Sequence, residues 1–146
     1  MRLSHRSEYA LLALVHLARH EGQEFLTVQA IAEAQAIPSK FLEQILLTLK
    51  RAHYVRSHKG QRGGYLLARP SRKITLAEVI RLFDGALAPT ESVSRYFYEP
   101  TPIEKEKALL KVFKDIRDQV SARLEATTVA DVASGGGEAA KKARKG

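Results

Sequence analysis

The chain has 146 residues and a formal net charge of +8, and it contains no cysteine. Disulfides, thiolate metal sites and cysteine nucleophiles are therefore excluded, while the length is enough for one hydrophobic core with a small appendage. The positive charge is concentrated in residues 1–75, which carry a net +7, and such a distribution favours nucleic acid as a partner.

The first predicted element is a strongly apolar helix. Ser4 is a suitable N-cap and Gly22 a suitable C-terminal stop for a helix that reaches about His20. The apolar run at residues 9–18 is too short to span a bilayer and lacks a signal-peptide cleavage site. We therefore expect a buried helix of a cytoplasmic protein with no membrane contact. His16 lies four residues before His20, but no third ligand is placed near them, so no metal site is predicted.

A helix–turn–helix is predicted for residues 27–51. The first helix runs from Thr27 to about Ala34, and after a short turn Pro38 opens a second helix that ends near Arg51. The apolar face of the second helix is predicted to consist of Phe41, Leu42, Ile45, Leu46 and Leu49. Its other face offers cations for phosphates and polar groups for base edges, as a helix in a DNA major groove requires. These residues are Ser39, Lys40, Glu43, Gln44, Thr48 and Arg51.

The next segment predicts a β-hairpin with a basic tip. Two β-prone runs, residues 54–57 and 65–68, flank a loop rich in glycine. Glycines let the backbone approach a surface closely, and cations suit a phosphate backbone. The residues expected to contact DNA from this loop are His58, Lys59, Gln61 and Arg62. A helix–turn–helix followed by such a hairpin is a winged helix, and we predict that it binds double-stranded DNA.

Two more helices are predicted in the carboxyl-terminal half. Thr75 and Glu78 form a capping box for a helix that Asp84-Gly85 ends. A second start signal at residues 101–104 opens a helix of about 25 residues that reaches about Ala126. Its apolar stripe is predicted to pack against a second copy in a two-fold dimer, the alternative being its own subunit. The stripe consists of Leu109, Val112, Phe113, Ile116, Val120 and Leu124.

The segment between these two helices has no clear periodicity but contains three consecutive aromatic residues. Tyr96, Phe97 and Tyr98 are candidates for an effector-binding site, although such rings more often serve packing. Beyond residue 134, glycines and lysines predict a disordered basic tail. The predicted division is a winged helix-turn-helix DNA-binding domain at 1–84, a connecting or sensor-equivalent segment at 85–101, a dimerisation helix at 102–128 and the tail at 134–146. The fold class is mostly α with a small β-hairpin wing.

Several motifs occur in an order and spacing that are specific in combination. They are Met1-Arg2-Leu3-Ser4, Tyr9-Ala10-Leu11, Ile31-Ala32-Glu33, Phe41-Leu42-Glu43-Gln44-Ile45, Leu49-Lys50-Arg51-Ala52 and the run Gly63-Gly64-Tyr65-Leu66-Leu67-Ala68-Arg69-Pro70. With them the chain resembles the bacterial winged-helix transcriptional regulators of the IscR/NsrR/CymR type. The resemblance implies that the second helix of the helix–turn–helix is the recognition helix and that the long carboxyl-terminal helix serves dimerisation.

Three departures from the family pattern affect these expectations. Lys59 stands where the wing of the family carries an arginine, which keeps the charge but loses the planar guanidinium fork. Ala36 occupies a turn position where glycine is common, a mild cost if its φ is positive. Cluster-binding members carry three cysteines in the segment equivalent to residues 85–100, and this chain has none. The resemblance therefore implies a member without iron–sulfur ligation and without cofactor. Its signal, if any, is a small molecule, a protein effector or coordination by His, Asp or Glu.

We predict a homodimeric, sequence-specific DNA-binding transcriptional regulator, in the first instance a repressor, that binds a palindromic operator. The alternative is a winged-helix interaction module whose basic face binds an acidic partner protein. Enzymatic activity is not expected, because the run Gly60-Gln61-Arg62-Gly63-Gly64 joins strand to strand and presents no helix N-terminus to a phosphate. Paired carboxylates in a supporting context and a nucleophile elbow are also missing from the sequence.

Overall fold

Six α-helices and one β-hairpin make up residues 2–135, the part of the chain that the computed structural model describes. The helices and strands are α1 (His5–Arg19), α2 (Val28–Gln35), α3 (Ser39–Arg51), β1 (Val55–His58), β2 (Gly64–Leu67), α4 (Leu76–Asp84), α5 (Lys107–Ala126) and α6 (Val129–Ala133). Short 3₁₀ turns lie at Ser71–Lys73, Glu91–Val93 and Pro102–Lys105. The predicted fold class, mostly α with a hairpin wing, is confirmed. The predicted basic tail lies outside the described residues from residue 136 onward.

Helix α1 lies at the centre of the hydrophobic core. It packs against α2, α3, α4 and α6, and Ala10, Ala13 and Leu14 on it are fully buried. Its N-cap is Ser4, whose hydroxyl accepts the Ser7 N–H at 3.1 Å. The covering of α1 on several sides explains why its sequence leaves almost no polar face. No helix in residues 2–135 is long and apolar enough to span a membrane.

The predicted helix–turn–helix is formed by α2 and α3. Thr27 caps α2 by accepting the Ala30 N–H at 3.0 Å, and the chain then turns at Ala36 with φ of 53°. Ile37 follows this turn and is buried, as are the four residues that face the core from α3. These four are Leu42, Ile45, Leu46 and Leu49.

Phe41 corrects the sequence prediction, which placed it on the buried face of α3. Its side chain is 56 % exposed, and its ring lies 6.5 Å from the ring of Tyr9 on α1. At 3.6 residues per turn, Phe41 points about 90° away from the centre of the buried stripe. Hydrophobicity alone suggested the wrong face, whereas the angle around the helix gives the right one.

The wing consists of the antiparallel strands β1 and β2, paired in the register Val55 with Leu67 to His58 with Gly64. Leu26 pairs with the other edge of β2: its N–H donates to the Tyr65 carbonyl at 3.0 Å, and the Tyr65 N–H donates back at 2.7 Å. A Cβ on Gly64 would lie 2.2 Å from the Leu26 carbonyl oxygen. Only glycine therefore allows this close approach of the hairpin to the segment before α2.

Of the two helix starts predicted in the carboxyl-terminal half, only the first is observed. The capping box of α4 is present with both of its hydrogen bonds. The prediction that the long helix begins at residues 101–104 was wrong. It produces the short 3₁₀ turn instead, and α5 begins at Lys107 after an extended residue, Glu106. The hydroxyl of Thr101 donates to Ser92 Oγ at 2.7 Å and does not cap a helix.

The sequence analysis missed α6, which returns the chain to the core after α5. The Val129 N–H donates to the Ile74 carbonyl at 2.8 Å, and the Leu76 N–H donates to the Thr127 carbonyl at 2.9 Å. Val129 is fully buried, and Thr128 and Asp131 form a second capping box. A helix of five residues is too short to show a periodicity.

Candidate nucleic-acid interface

The exposed face of α3 carries the polar side chains that the sequence predicts as DNA contacts. Ser39, Lys40, Glu43, Gln44 and Arg51 are all exposed. Within residues 2–135, the charged groups of Lys40, Glu43 and Arg51 take part in no ion pair. Thr48 is half-buried, and its hydroxyl donates to the Gln44 carbonyl at 3.1 Å, which favours a role in the helix itself. Five of the six predicted side chains are thus free to meet a ligand.

Two features of this face were missed by the sequence analysis. Leu47 is 42 % exposed and lies one turn beyond Glu43 and Gln44 on the same side of α3. An open hollow of about 440 Å³ runs between α2 and the start of α3. Its lining is mostly polar and consists of Thr27, Val28, Gln29, Glu33, Ser39 and Glu43. The spacing of residues along the helix signals Leu47, but only the fold brings Gln29 beside the recognition helix.

The wing presents its four predicted residues to solvent. His58, Lys59, Gln61 and Arg62 are exposed. The loop that carries them is tight, because the Gly63 N–H donates to the Gly60 carbonyl at 3.0 Å. The His58 ring stacks on Phe25 with centroids 5.2 Å apart, so this residue is anchored at the base of the tip. In the described part of the chain, neither Lys59 nor Arg62 is paired with a carboxylate.

Arg69 holds the carboxyl-terminal end of α3 in place. Its Nε donates to the His53 carbonyl and its Nη2 to the Ala52 carbonyl, both at 3.0 Å. The guanidinium lies 4.3 Å from the centre of the Tyr54 ring, and Glu78 is within 3.5 Å. A cation at a helix C-terminus offsets the negative end of the helix dipole. Helix α3 is therefore fixed to the strand end of the wing and to α4.

The titration of Tyr54 and Glu78 reflects this cluster. Burial and the hydrogen bond to Glu78 raise the pKa of Tyr54 to about 12. Burial by itself would raise the pKa of Glu78, but the Thr75 N–H and the Tyr54 hydroxyl, which donates at 2.7 Å, hold it below the ordinary value. At neutral pH Glu78 is thus an anion that accepts hydrogen bonds, and Tyr54 is a neutral donor.

The three aromatic candidates for an effector site lie on the surface. Tyr96, Phe97 and Tyr98 are 69 %, 47 % and 57 % exposed. The Arg81 guanidinium lies 5.0 Å from the centre of the Tyr96 ring, and the Tyr98 hydroxyl donates to Glu104. The cavity beside Tyr96 and Phe97 measures about 10 Å³, which is room for one water molecule. Effector binding by these rings stays a prediction.

A larger apolar hollow of about 550 Å³ lies beside α1, between it and residues of α2, α4 and α6. It is lined by Leu11, Leu12 and Val15 of α1 together with Leu76 and Val132. His16 of α1 and His20, the residue that caps the end of α1, are close, with ring centroids 4.6 Å apart. Burial and the neighbouring His20 lower the pKa of His16. In residues 2–135 there is no group of three or more His, Cys, Asp or Glu residues that could hold a metal ion.

Comparisons with known proteins place this geometry in context. Residues 3–135 match the Rrf2 family, which is described as an iron-dependent transcriptional regulator. A relative from Mycobacterium tuberculosis H37Rv, named an HTH-type transcriptional regulator, is 40 % identical over 92 % of this chain and 83 % of its own length. The HTH-type transcriptional regulator CymR of Bacillus subtilis is 30 % identical over 92 % of this chain and 91 % of its own.

Solved structures show the same fold. The structure of CymR, the global cysteine regulator of B. subtilis, has a TM-score of 0.80 at 29 % identity and covers 92 % of this chain and 97 % of that one. The IscR structure of T. potens has a TM-score of 0.68 at 29 % identity and covers 95 % of this chain and 90 % of that one. Both proteins are winged-helix regulators, in agreement with the α2–α3 unit and the wing described above.

The iron in the family description does not fit the donors of this chain. Iron–sulfur clusters are held by cysteine thiolates, and the sequence contains no cysteine. Histidines and carboxylates do not replace them as a group anywhere in the described residues. The function proposed below therefore uses no step through iron.

Proposed function

Because the chain belongs to the Rrf2 family of transcriptional regulators, we propose that it acts as a homodimer that binds a palindromic operator and represses transcription. The family and the relatives are transcriptional regulators, so the prediction of a DNA-binding regulator and not an enzyme is confirmed. The dimer, the palindrome, the repression and the contact residues are the proposal.

One observation carries the proposal: the exposed face of α3 is largely polar, and Lys40, Glu43 and Arg51 on it form no ion pair within residues 2–135. An unpaired cation such as Lys40 or Arg51 meets a phosphate without first breaking an internal ion pair. Glu43 is suited to accept from the N4 amino group of cytosine, and Gln44 to bind the N6 and N7 edge of adenine. Ser39 can bond to either kind of edge. The helix thus has the chemistry for both phosphate contact and base readout.

The wing supplies a second contact of a different kind. Lys59 and Arg62 are exposed cations beside glycines that let the backbone come close to a surface. Lysine acts as a point charge, so Lys59 suits the phosphate backbone. Arg62 has a planar fork and suits either a phosphate or a narrow minor groove. His58 and Gln61 complete the tip as hydrogen-bonding neighbours.

The apolar stripe of α5 supports the dimer. Leu109, Val112 and Ile116 are 44 %, 52 % and 39 % exposed, whereas the other three residues of the stripe are half-buried. The adjacent side of α5 packs on its own subunit, because Ser121 is buried, Arg117 donates to the Val93 carbonyl at 3.0 Å and Leu124 contacts the buried cluster of Ala77, Ile80 and Leu87. The exposed side continues into a hollow of about 190 Å³ at Leu87, Ala88 and Pro89. A second copy that covers this surface would remove a contiguous apolar patch from water.

Repression is the proposed mode, because occupancy of an operator that overlaps a promoter is by itself enough to block transcription. Activation would require a further contact between this chain and the polymerase. Repression and activation would both begin with the same dimer bound to DNA.

The test is a selection of bound duplexes from a random DNA pool at near-physiological salt. We expect a strongly enriched palindromic motif whose half-sites lie one helical turn, or a multiple of it, apart. Enrichment of a motif without two-fold symmetry would contradict the dimer. Weak, salt-sensitive binding without any motif would contradict sequence-specific recognition and favour the second candidate, a basic face that binds an acidic protein.

A further inference from the structure

Phe41 is an apolar ring exposed in the first turn of α3, among the side chains assigned above to DNA. We propose that Phe41 reads thymine, through van der Waals contact with the C5-methyl group in the major groove. This inference rests on the proposed function, because it assigns a specificity-determining residue to the same surface.

The position of Phe41 places it at the edge of the polar face. It lies three residues before Gln44, and side chains at this spacing are neighbours on a helix, with Cβ atoms about 5–6 Å apart. Its side chain is 56 % exposed, whereas the residue that follows it, Leu42, is completely buried. The N-terminal residues of a recognition helix are those that contact base edges, and Phe41 is the third residue of α3.

The ring is held in a defined direction from one side. The Phe41 ring lies 6.5 Å from the ring of Tyr9, at an interplanar angle of 39°. Tyr9 is half-buried and is itself 6.0 Å from the ring of His5. A braced ring loses less conformational entropy on binding than a free one. The free edge of Phe41 is therefore presented to a ligand in advance.

The chemistry of the major groove identifies what this ring contacts. The C5-methyl of thymine is the apolar group on the base edges there, and aromatic side chains are among those that pack against it. Gln44, the neighbour of Phe41, has the group that binds adenine, and the thymine paired with that adenine carries its methyl in the same groove. Successive base pairs are about 3.4 Å apart, so side chains about 5–6 Å apart reach the same pair or adjacent pairs.

The other explanation is that Phe41 serves only to pack against Tyr9. Binding to duplexes in which single thymines are replaced by uracil separates the two, because this change removes the methyl and keeps base pairing. The parent duplex is the one enriched from the random pool. For the wild type we expect about a fourfold loss of affinity at one or two thymine positions in each half-site, the value of one buried methyl.

The variant Phe41→Ala should bind the thymine and uracil duplexes at those positions equally well, and Phe41→Leu should retain part of the difference. The matched control is Leu82→Ala, which removes a 38 % exposed apolar side chain from α4, outside the face of α3 assigned to DNA, and should keep the full fourfold ratio. Thermal unfolding of each variant verifies that the fold is intact.

An unchanged thymine-to-uracil ratio in Phe41→Ala would overturn the inference, as would a wild type that binds every uracil duplex as well as its parent. Both results leave sequence-specific binding standing. Failure of the wild type to enrich any duplex would instead overturn the proposed function, and the inference with it.

Discussion

The turn between α2 and α3 places a residue with a Cβ in the left-handed region. Ala36 has φ of 53° and ψ of 44°, a conformation that costs an L-residue about 1–2 kcal/mol relative to the right-handed region. The Ile37 N–H donates to the Ala32 carbonyl at 2.9 Å, a bond that the left-handed conformation of Ala36 allows, so the turn depends on this conformation. The strain is local and can be removed by a single change.

We expect Ala36→Gly to raise the free energy of unfolding by about 0.5–1 kcal/mol, because relief of strain exceeds the extra entropy of an unfolded glycine. The matched control is Ala34→Gly, an exposed position inside α2, which should lower it by about 1 kcal/mol. Urea denaturation measures both. Equal destabilisation by the two variants would contradict strain at Ala36.

The two proposed DNA contacts predict different responses to mutation. Lys59→Ala and Arg62→Ala should weaken binding to operator and random DNA alike, and should reduce the salt slope by about 1 for each lost phosphate contact. Glu43→Ala and Gln44→Ala should instead relax the preference at particular base pairs, each by about 1–3 kcal/mol.

Titration of operator and random duplexes at several salt concentrations measures these effects. The assigned roles fail if the Glu43 and Gln44 variants lose affinity equally on operator and random DNA. They also fail if the Lys59 and Arg62 variants change base preference but leave the salt slope as it is.

At the scale of elements, α1 and α4 are joined where the first begins and the second ends. The Ser4 N–H donates to Asp84 at 2.9 Å, and the Ser4 hydroxyl donates to the same carboxylate. Burial alone would raise the pKa of Asp84, but the two bonds from Ser4 and the nearby Arg6 hold it below its ordinary value of 3.8. One carboxylate thus fixes the N-cap of the central helix.

This depressed pKa predicts a loss of stability in acid. A carboxyl group with a lowered pKa in the folded state adds stability above its unfolded pKa and loses it as pH falls through the folded pKa. The contribution of Asp84 should therefore be complete near neutrality and disappear as pH falls below 3.8. We expect Asp84→Asn to be less stable than the wild type at pH 6 and to approach it at pH about 2–3. The free energy of unfolding of both proteins is measured by denaturation across this pH range. A constant difference between wild type and variant would contradict this role of Asp84.

The elements that have a strong signal in their own local sequence were predicted correctly. The periodicity of α3 and the caps of α1, α2 and α4 depend on neighbouring residues, and each lies within about two residues of its predicted bounds. The failures in the carboxyl-terminal half have a different cause, because the deciding contacts there are made with other elements. Thr101 does not cap a helix because its hydroxyl donates to Ser92, and α6 is held by backbone bonds to residues 74–76.

The candidate site, too, could be predicted only in part from the sequence. The residue types and spacing of α3 and the wing were enough to name ten candidate contacts, of which all but Thr48 are exposed. Whether they contact DNA stays a prediction. The exposure of Phe41 depends on Tyr9 and on the exact angle of the buried stripe, and Gln29 reaches the interface only through the packing of α2 on α3. The angle of the buried stripe can be read from the sequence of α3 alone, whereas the positions of Tyr9 and Gln29 cannot.

At the scale of the whole molecule, α5 connects each winged helix to the proposed second copy. It is tied to its own subunit by the ion pair between Arg81 and Glu125 at 2.7 Å and by the contact of Arg117 with Val93. The chain then returns through α6 to the core around α1. The proposed dimer surface on α5 is therefore tied by these contacts to the core that also holds α3, and the domain division stays a prediction.

We expect Ile116→Asp to shift the protein from dimer to monomer, because burial of an unpaired charge in an apolar interface is strongly unfavourable. The control is Ala122→Asp, which places the same charge at an exposed position on another side of α5. Sedimentation equilibrium measures the mass of each variant. If Ile116→Asp and Ala122→Asp both have the same mass as the wild type, the proposed role of the stripe in dimerisation is contradicted.

The most direct test of the central claim is the mass of the complex between this chain and its selected operator, measured together with binding to a duplex in which one half-site is scrambled. The account predicts two chains on the palindromic duplex and a large loss of affinity on the half-scrambled one. One chain per duplex, bound with equal affinity to both, would contradict a dimer that places two recognition helices on two half-sites.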